Sequence, residues 1–174
     1  LPVATPVFCF GYKESYETPE RSLKEEVAKN IILDVLAGQM SPLYKELLDE
    51  GLVNGNFSTE YFNGYNYASM LISGESVNPE AVAEKVKKRA SQLKATGISQ
   101  VDFETVRKKQ YGKTVRAFSD IDTVANGLVV SHFENDELFS EFKVIKDMTL
   151  DYVNEMLAQS FDEDKSVLSV VRNK

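Results

Sequence analysis

Hydrophobic positions along this chain alternate between a spacing of two and a spacing of three to four, and the switches between them set out the elements. Residues 3–12 are β-branched and aromatic with Gly11 near their end, which predicts a strand. After the break at Thr18-Pro19, Ser22 with Glu25 forms a capping box. Leu23, Val27, Ile31, Ile32, Val35 and Leu36 then recur at helical spacing up to Gly38. Ser41-Pro42 starts a second helix, a cap followed by Pro at the first helical position, with Leu43, Leu47 and Leu48 inward and Gly51 at its end. Strands are expected at residues 57–62 and 65–73, joined through Asn63-Gly64. A turn that short forces antiparallel pairing.

The second half reads as helix after helix. Asn78-Pro79 caps one that carries Val82, Val86, Ala90 and Leu93 to Gly97. Ser99 with Asp102 opens the next, bearing Phe103, Val106, Tyr111, Val115 and Phe118. Ser119 with Asp122 opens a third, bearing Ile121, Val124, Ala125, Leu128 and Val129. Residues 136–142 suggest a short helix, and Thr149 caps a last one with Val153, Met156 and Leu157 inward. Residues 165–172 close the chain as an alternating strand. Strands interrupted by long helical runs predict an α+β domain, a mostly antiparallel sheet covered by helices on one face.

Composition refines this picture in two places. The length of 174 residues suits one domain, and no apolar run approaches the roughly 18 residues of a membrane span, so a soluble chain with no membrane partner is expected. The start Leu1-Pro2-Val3 reads as the beginning of an excised fragment of a larger two-domain protein. One cysteine, Cys9, allows no intrachain disulfide and makes a reducing cytoplasm the expected location. The net charge is -7, yet the segment from Ala83 to Ala117 holds ten Lys and Arg against three acids. That segment is +7 and the remainder -14. With Tyr111 as the main stacking candidate and a pI near 4.9, a solvated or protein-docking face is expected rather than nucleic-acid binding.

Candidate chemistry is sparse. Zinc requires three or four N, S or O ligands, and the chain has one His and one Cys, His132 and Cys9, with no H-x-x-E-H or H-E-x-x-H. A nucleophilic triad would have to run through His132, no Ser sits in a G-x-S-x-G elbow, and phosphate-binding glycine loops are absent. No catalytic and no metal-binding residue is therefore expected. Residues 41–67 remain the most suggestive stretch: a capped helix ending on Gly51, then an aromatic strand suited to meeting an extended peptide.

Four segments in order, P-V-F-C-F-G-Y-K from Pro6, S-P-L-Y-K-E-L-L-D-E-G-L-V from Ser41, D-F-E-T-V-R-K-K-Q-Y-G-K-T-V-R-A-F from Asp102 and D-M-T-L-D-Y-V from Asp147, resemble one family. It is the C-terminal homologous domain of the insulinase/pitrilysin zinc metallopeptidases, in the bacterial processing-peptidase-like branch. The resemblance implies the metallopeptidase-domain fold of the mitochondrial processing peptidase. It also implies a clam-shell in which the first domain holds zinc through H-x-x-E-H while the second lines the peptide chamber. This chain resembles the second and alone is expected to be inactive, with zinc in the missing homologous catalytic domain or a paired subunit.

Many members place an Arg and a Tyr at the end of the motif helix, against the substrate. Aligned on Gly51-Leu52, those positions fall on Leu48 and Asn54, so the usual polar pair is absent. Asn54, with Phe57 and Tyr61 on the following strand, are the expected peptide contacts. The resulting expectation is the non-catalytic half of a zinc-dependent processing peptidase. The alternative is a catalytically inactive structural or assembly module related to these peptidases.

Overall fold

The computed structural model describes residues 4–14, 23–64, 66–134 and 140–173. The chain runs β1 (Val7–Lys13), α1 (Leu23–Ala37), α2 (Pro42–Asp49), β2 (Ser58–Gly64), β3 (Tyr67–Glu75), α3 (Pro79–Thr96), α4 (Gln100–Ala117), α5 (Ile121–Glu134), α6 (Ser140–Asp147), α7 (Leu150–Gln159) and β4 (Ser166–Val171). A short 3-10 turn at Glu163–Lys165 precedes β4. The strands form one sheet in the order β2-β3-β1-β4, antiparallel at every pairing. This is the α+β arrangement that the hydrophobic spacing predicts.

Period-two alternation decides which side of the sheet is covered. In β1 and β3, Phe8, Phe10, Tyr12, Ala68, Met70 and Ile72 are buried on the helix side. Val7, Cys9 and Lys13, with Ser69, Leu71 and Ser73, face the other way. Among the described residues no element covers that second face, which carries exposed apolar side chains at Val7, Phe62, Tyr67, Val167 and Val171. On the covered side α1 packs beneath β2 and β3, against α4, α6 and α7, while α3 lies against β1 and β4. Burial on nearly every side explains why α1 reads as apolar around most of its circumference.

One cation is caught in this core. Lys29 of α1 is only 2% exposed, and its Nζ donates to Glu14 Oε2 at 2.6 Å and to Ser160 Oγ at 2.8 Å. Ser160, just past α7, donates its hydroxyl proton to the Met156 carbonyl at 2.8 Å, and its own carbonyl accepts from Lys94 Nζ at 2.7 Å. The next residue, Phe161, has φ +59°, left-handed backbone that a bulky side chain rarely adopts. Its ring is buried edge-on against Tyr12 at 5.1 Å.

Cap chemistry places most helix ends. Ser41, Asn78, Ser99 and Thr149 each accept a backbone N–H in the first turn of α2, α3, α4 and α7. At the end of α2, Leu52 N–H reaches the Leu47 carbonyl and Gly51 N–H reaches that of Leu48, both at 2.9 Å. This is a Schellman closure with Gly51 at φ +66°.

Several details differ from the expectations. Ser22 of the expected capping box lies outside the described residues. The hairpin turn falls two residues beyond Asn63-Gly64, because Asn63 pairs with Ala68 and Gly64 with Tyr67. Gly64 instead sits under the exposed Tyr67 ring, which would have to turn aside for a Cβ at that position. Leu48 is 39% exposed rather than inward, since the face of α2 that meets the core carries Leu43, Tyr44 and Leu47. The cap of α5 is Asp120, whose Oδ1 accepts from Thr123 N–H at 2.7 Å, not Ser119. Most of the α5 apolar side chains are exposed, Ile121 and Phe133 at 82%, because no described element covers that side of the helix. The short helix starts at Ser140, and residues 136–139 of the expected one lie outside the described residues.

Two stability outcomes follow from this geometry. Lys29→Ala strands the Glu14 carboxylate in the core and should lower unfolding free energy by about 3 kcal/mol. Replacing both partners, Lys29→Met with Glu14→Gln, should recover most of that loss in urea unfolding. Gly51→Ala meets no neighbouring atom, so its cost should be the backbone's alone, about 1 kcal/mol, and Gly51→Asn should cost less by the same measurement.

Candidate functional site

The turn after α2 is built outward from Gly51. Val53 makes a single antiparallel bridge to Ser76, which fixes the chain beside the end of β3. Asn54 then closes an Asx turn, its Oδ1 accepting from Asn56 N–H at 2.9 Å. Its Nδ2 donates to Glu75 Oε2 at 2.6 Å, so the exposed side chain is held in place from both ends. Phe57 is 3% exposed, its ring stacked on Tyr44 at 5.5 Å and tilted against Phe8 at 6.4 Å. Tyr61 is 6% exposed on the helix side of β2, opposite Met70. Of the three residues singled out by sequence, the structure brings only Asn54 to the surface. Phe57 and Tyr61 form the packing behind it.

A charged link holds α2 in this position. Lys85 of α3 donates to Glu46 and, at 2.8 Å, to Glu50. These hydrogen bonds hold the Glu46 carboxyl below its ordinary value and the Lys85 ammonium above its own. The groups are exposed, so the link orients α2 more than it stabilises it.

The ionisable groups among the described residues serve mainly as structural pairs. No group of three or more His, Cys, Asp or Glu side chains that could hold a metal ion occurs among the described residues. His132 lies near the end of α5 against the Phe133 ring, and Cys9 sits on the open sheet face. These residues do not fit a zinc site. Burial, with the Glu60 charge, pushes the Cys9 thiol up, against thiolate formation. Burial likewise raises the Tyr12 phenol.

What the fold offers instead is an edge and a hollow. β2 is the outer strand of the sheet, and among the described residues no strand pairs with its far side. A cavity of about 770 Å³ lies next to it, with Thr59 of β2 on its wall. α1 contributes Val27, Phe118 follows from the end of α4, and α5 contributes Val124, Gly127 and Val130. An ion pair in the wall, Lys109 to Asp34 at 2.8 Å, neutralises two of its charges. Desolvation raises the Glu141 carboxyl, opposed by a hydrogen bond from Thr114. Sequence reasoning misses this hollow because its walls come from segments far apart in the chain. The one available signal is the run of apolar residues in α5 beyond what one buried face needs.

Known proteins share this fold. Residues 7–110 match the family described as the peptidase M16 inactive domain. An uncharacterized zinc protease, YmfH of Bacillus subtilis (strain 168), is 26% identical over 156 residues, which is 88% of this chain and 36% of that protein. The crystal structure of an M16-like peptidase from Alicyclobacillus acidocaldarius superposes with a TM-score of 0.89 at 28% identity, covering 97% of this chain and 41% of that one. The inactive peptidase domain of a Bordetella parapertussis zinc protease superposes at 0.78 and 15% identity, a likeness of fold, over 97% and 93% of the two chains. The present chain thus spans about two fifths of the length of the first two relatives. Matched along residues 7–110, well over half of its length, the chain belongs to the peptidase M16 inactive domain family.

Proposed function

We propose that this domain is the non-catalytic half of a zinc-dependent processing peptidase. In this reading it forms one wall of the peptide chamber, while zinc and the reacting groups belong to a homologous catalytic domain or paired subunit. The observation that carries the reading is the outer edge of β2, which no described strand pairs, in the strand that follows the fixed Asn54 side chain. An extended peptide can add to such an edge through main-chain hydrogen bonds, which tolerate many sequences. Asn54 supplies a polar contact at its end, and Phe57 and Tyr61 stiffen the strand from behind. Leu48, exposed at the end of α2, offers apolar contact but no side-chain hydrogen bond.

Two further observations support it. YmfH and the Alicyclobacillus peptidase are each more than twice as long as this chain, which leaves room for a catalytic half. The open sheet face, with Val7, Phe62, Tyr67, Val167 and Val171 exposed, is an apolar surface of the kind that another domain covers. Enclosing a peptide between two halves excludes water and selects by size without a reacting group on this side. We place the protein in the cytoplasm on the strength of its single cysteine, and no described helix is long and apolar enough to cross a membrane. The loss of the family's polar pair at Leu48 and Asn54 favours the second reading, an inactive assembly module.

The full-length protein that carries this domain should cleave extended fluorogenic peptides. Chelation by 1,10-phenanthroline should abolish that cleavage and added zinc restore it. Asn54→Ala should raise KM roughly 5-fold with kcat little changed, the mark of lost uniform binding. Zinc-loaded full-length protein that cleaves none of a broad peptide set would leave the assembly reading in its place.

A further inference from the structure

Alternation along β2 fixes what a peptide on its outer edge, which no described strand pairs, would meet. Thr59 pairs with Ile72, which is buried on the helix side, so Thr59 also points to that side. A segment laid along β2 would sit about 4.8 Å further out and keep the same pleat. The side chain opposite Thr59 would therefore be directed to the helix side of the sheet. That is where the cavity bounded by α1, α4, α5 and α6 has Thr59 on its wall.

The contents of the wall specify what fits. Leu23, Val27, Phe118, Val124 and Val130 supply an apolar lining. Its charges balance: Lys109 is paired with Asp34, and Lys113 and Glu141 carry opposite signs. A neutral occupant suits such a lining, because a charged side chain would meet no net opposite charge in exchange for its hydration. At about 770 Å³ the space falls within the range of ligand pockets and admits a large side chain without rearrangement. On α5 the side toward the cavity carries Thr123, Gly127 and Ser131 one turn apart, so small residues keep the hollow open.

We infer that this cavity is a specificity pocket, taking one large uncharged side chain, aromatic or branched aliphatic, from an extended peptide laid along β2. The inference rests on the reading of β2 as the peptide wall. It adds a substrate preference to that reading and assigns the residues that set it.

The test uses the full-length protein and a series of quenched fluorogenic peptides in which a single Phe is walked through a Ser-Gly background. In the wild type, one position, or two spaced by two residues, should favour Phe in kcat/KM by roughly 10-fold or more. Gly127→Leu fills the cavity and also improves helix propensity, so folding should persist while the preference for Phe is lost. Val130→Phe should fill the same space from the next turn and give the same loss. Ala125→Leu, of equal helical merit on an exposed position outside the cavity, should leave the preference intact. A preference that survives both filling variants, with normal thermal melts, overturns the pocket while zinc-dependent cleavage keeps the peptide-wall reading. A wild type without positional preference, or an Ala125→Leu variant that loses it, overturns the pocket in the same way. Zinc-loaded protein that cleaves and binds none of the series removes both.

Discussion

The ammonium group of Lys29 sits where the end of β1, the middle of α1 and the end of α7 converge, and the covered side of the sheet is organised around it. A charge this deeply enclosed cannot draw on solvent, so its partners must hold their positions. Glu14 thereby fixes where β1 stops, and Ser160 fixes where α7 hands over to β4. Ser160 in turn accepts Lys94 through its carbonyl, which draws α3 onto the same point. With this anchor, α1 has one register, and the walls it lends to the cavity at Val27 and Asp34 are placed as firmly as the core.

The basic excess of residues 83–117 gains meaning in the same terms. Part of it is consumed internally: Lys85 reaches across to α2, Lys109 to α1, and Arg107 to Glu104 within α4. The acid-rich first half and the base-rich middle of the chain are therefore complementary surfaces of one domain. Such pairs add little stability when exposed, but they set relative orientation, here of α2 against α3 and of α4 against α1.

Much of the fold is legible in the sequence because helix ends are written in three or four adjacent residues. Ser41-Pro42, Asn78-Pro79, Ser99 and Thr149 cap helices where the sequence says, and Gly51 and Gly97 close them. The hairpin turn is harder to place, because Asn-Gly is also compatible with a strand end, as at Asn63 and Gly64 opposite Ala68 and Tyr67. α5 misleads because periodicity reveals that a face is apolar, not what lies across from it. The same ambiguity governs Phe57 and Tyr61: aromatic residues on a strand suit a peptide surface or a core, and neighbours from β1, β3 and α2 decide for the core. The cavity is beyond the reach of sequence, since α1, β2, α4, α5 and α6 meet there only after folding.

Phe161 carries a consequence for how this region can change over time. Its backbone conformation favours glycine or asparagine, whereas the aromatic cluster with Tyr12 favours a large ring. A glycine would relax the chain and leave a hole; a different bulky residue would fill the hole and keep the backbone cost. Neither demand can be met better without failing the other, so single substitutions at this position lead downhill in both directions. Variation near it should arrive in concert, with Tyr12 or Lys29 changing alongside, and the connection from α7 into β4 should be among the slowest parts of the domain to diverge.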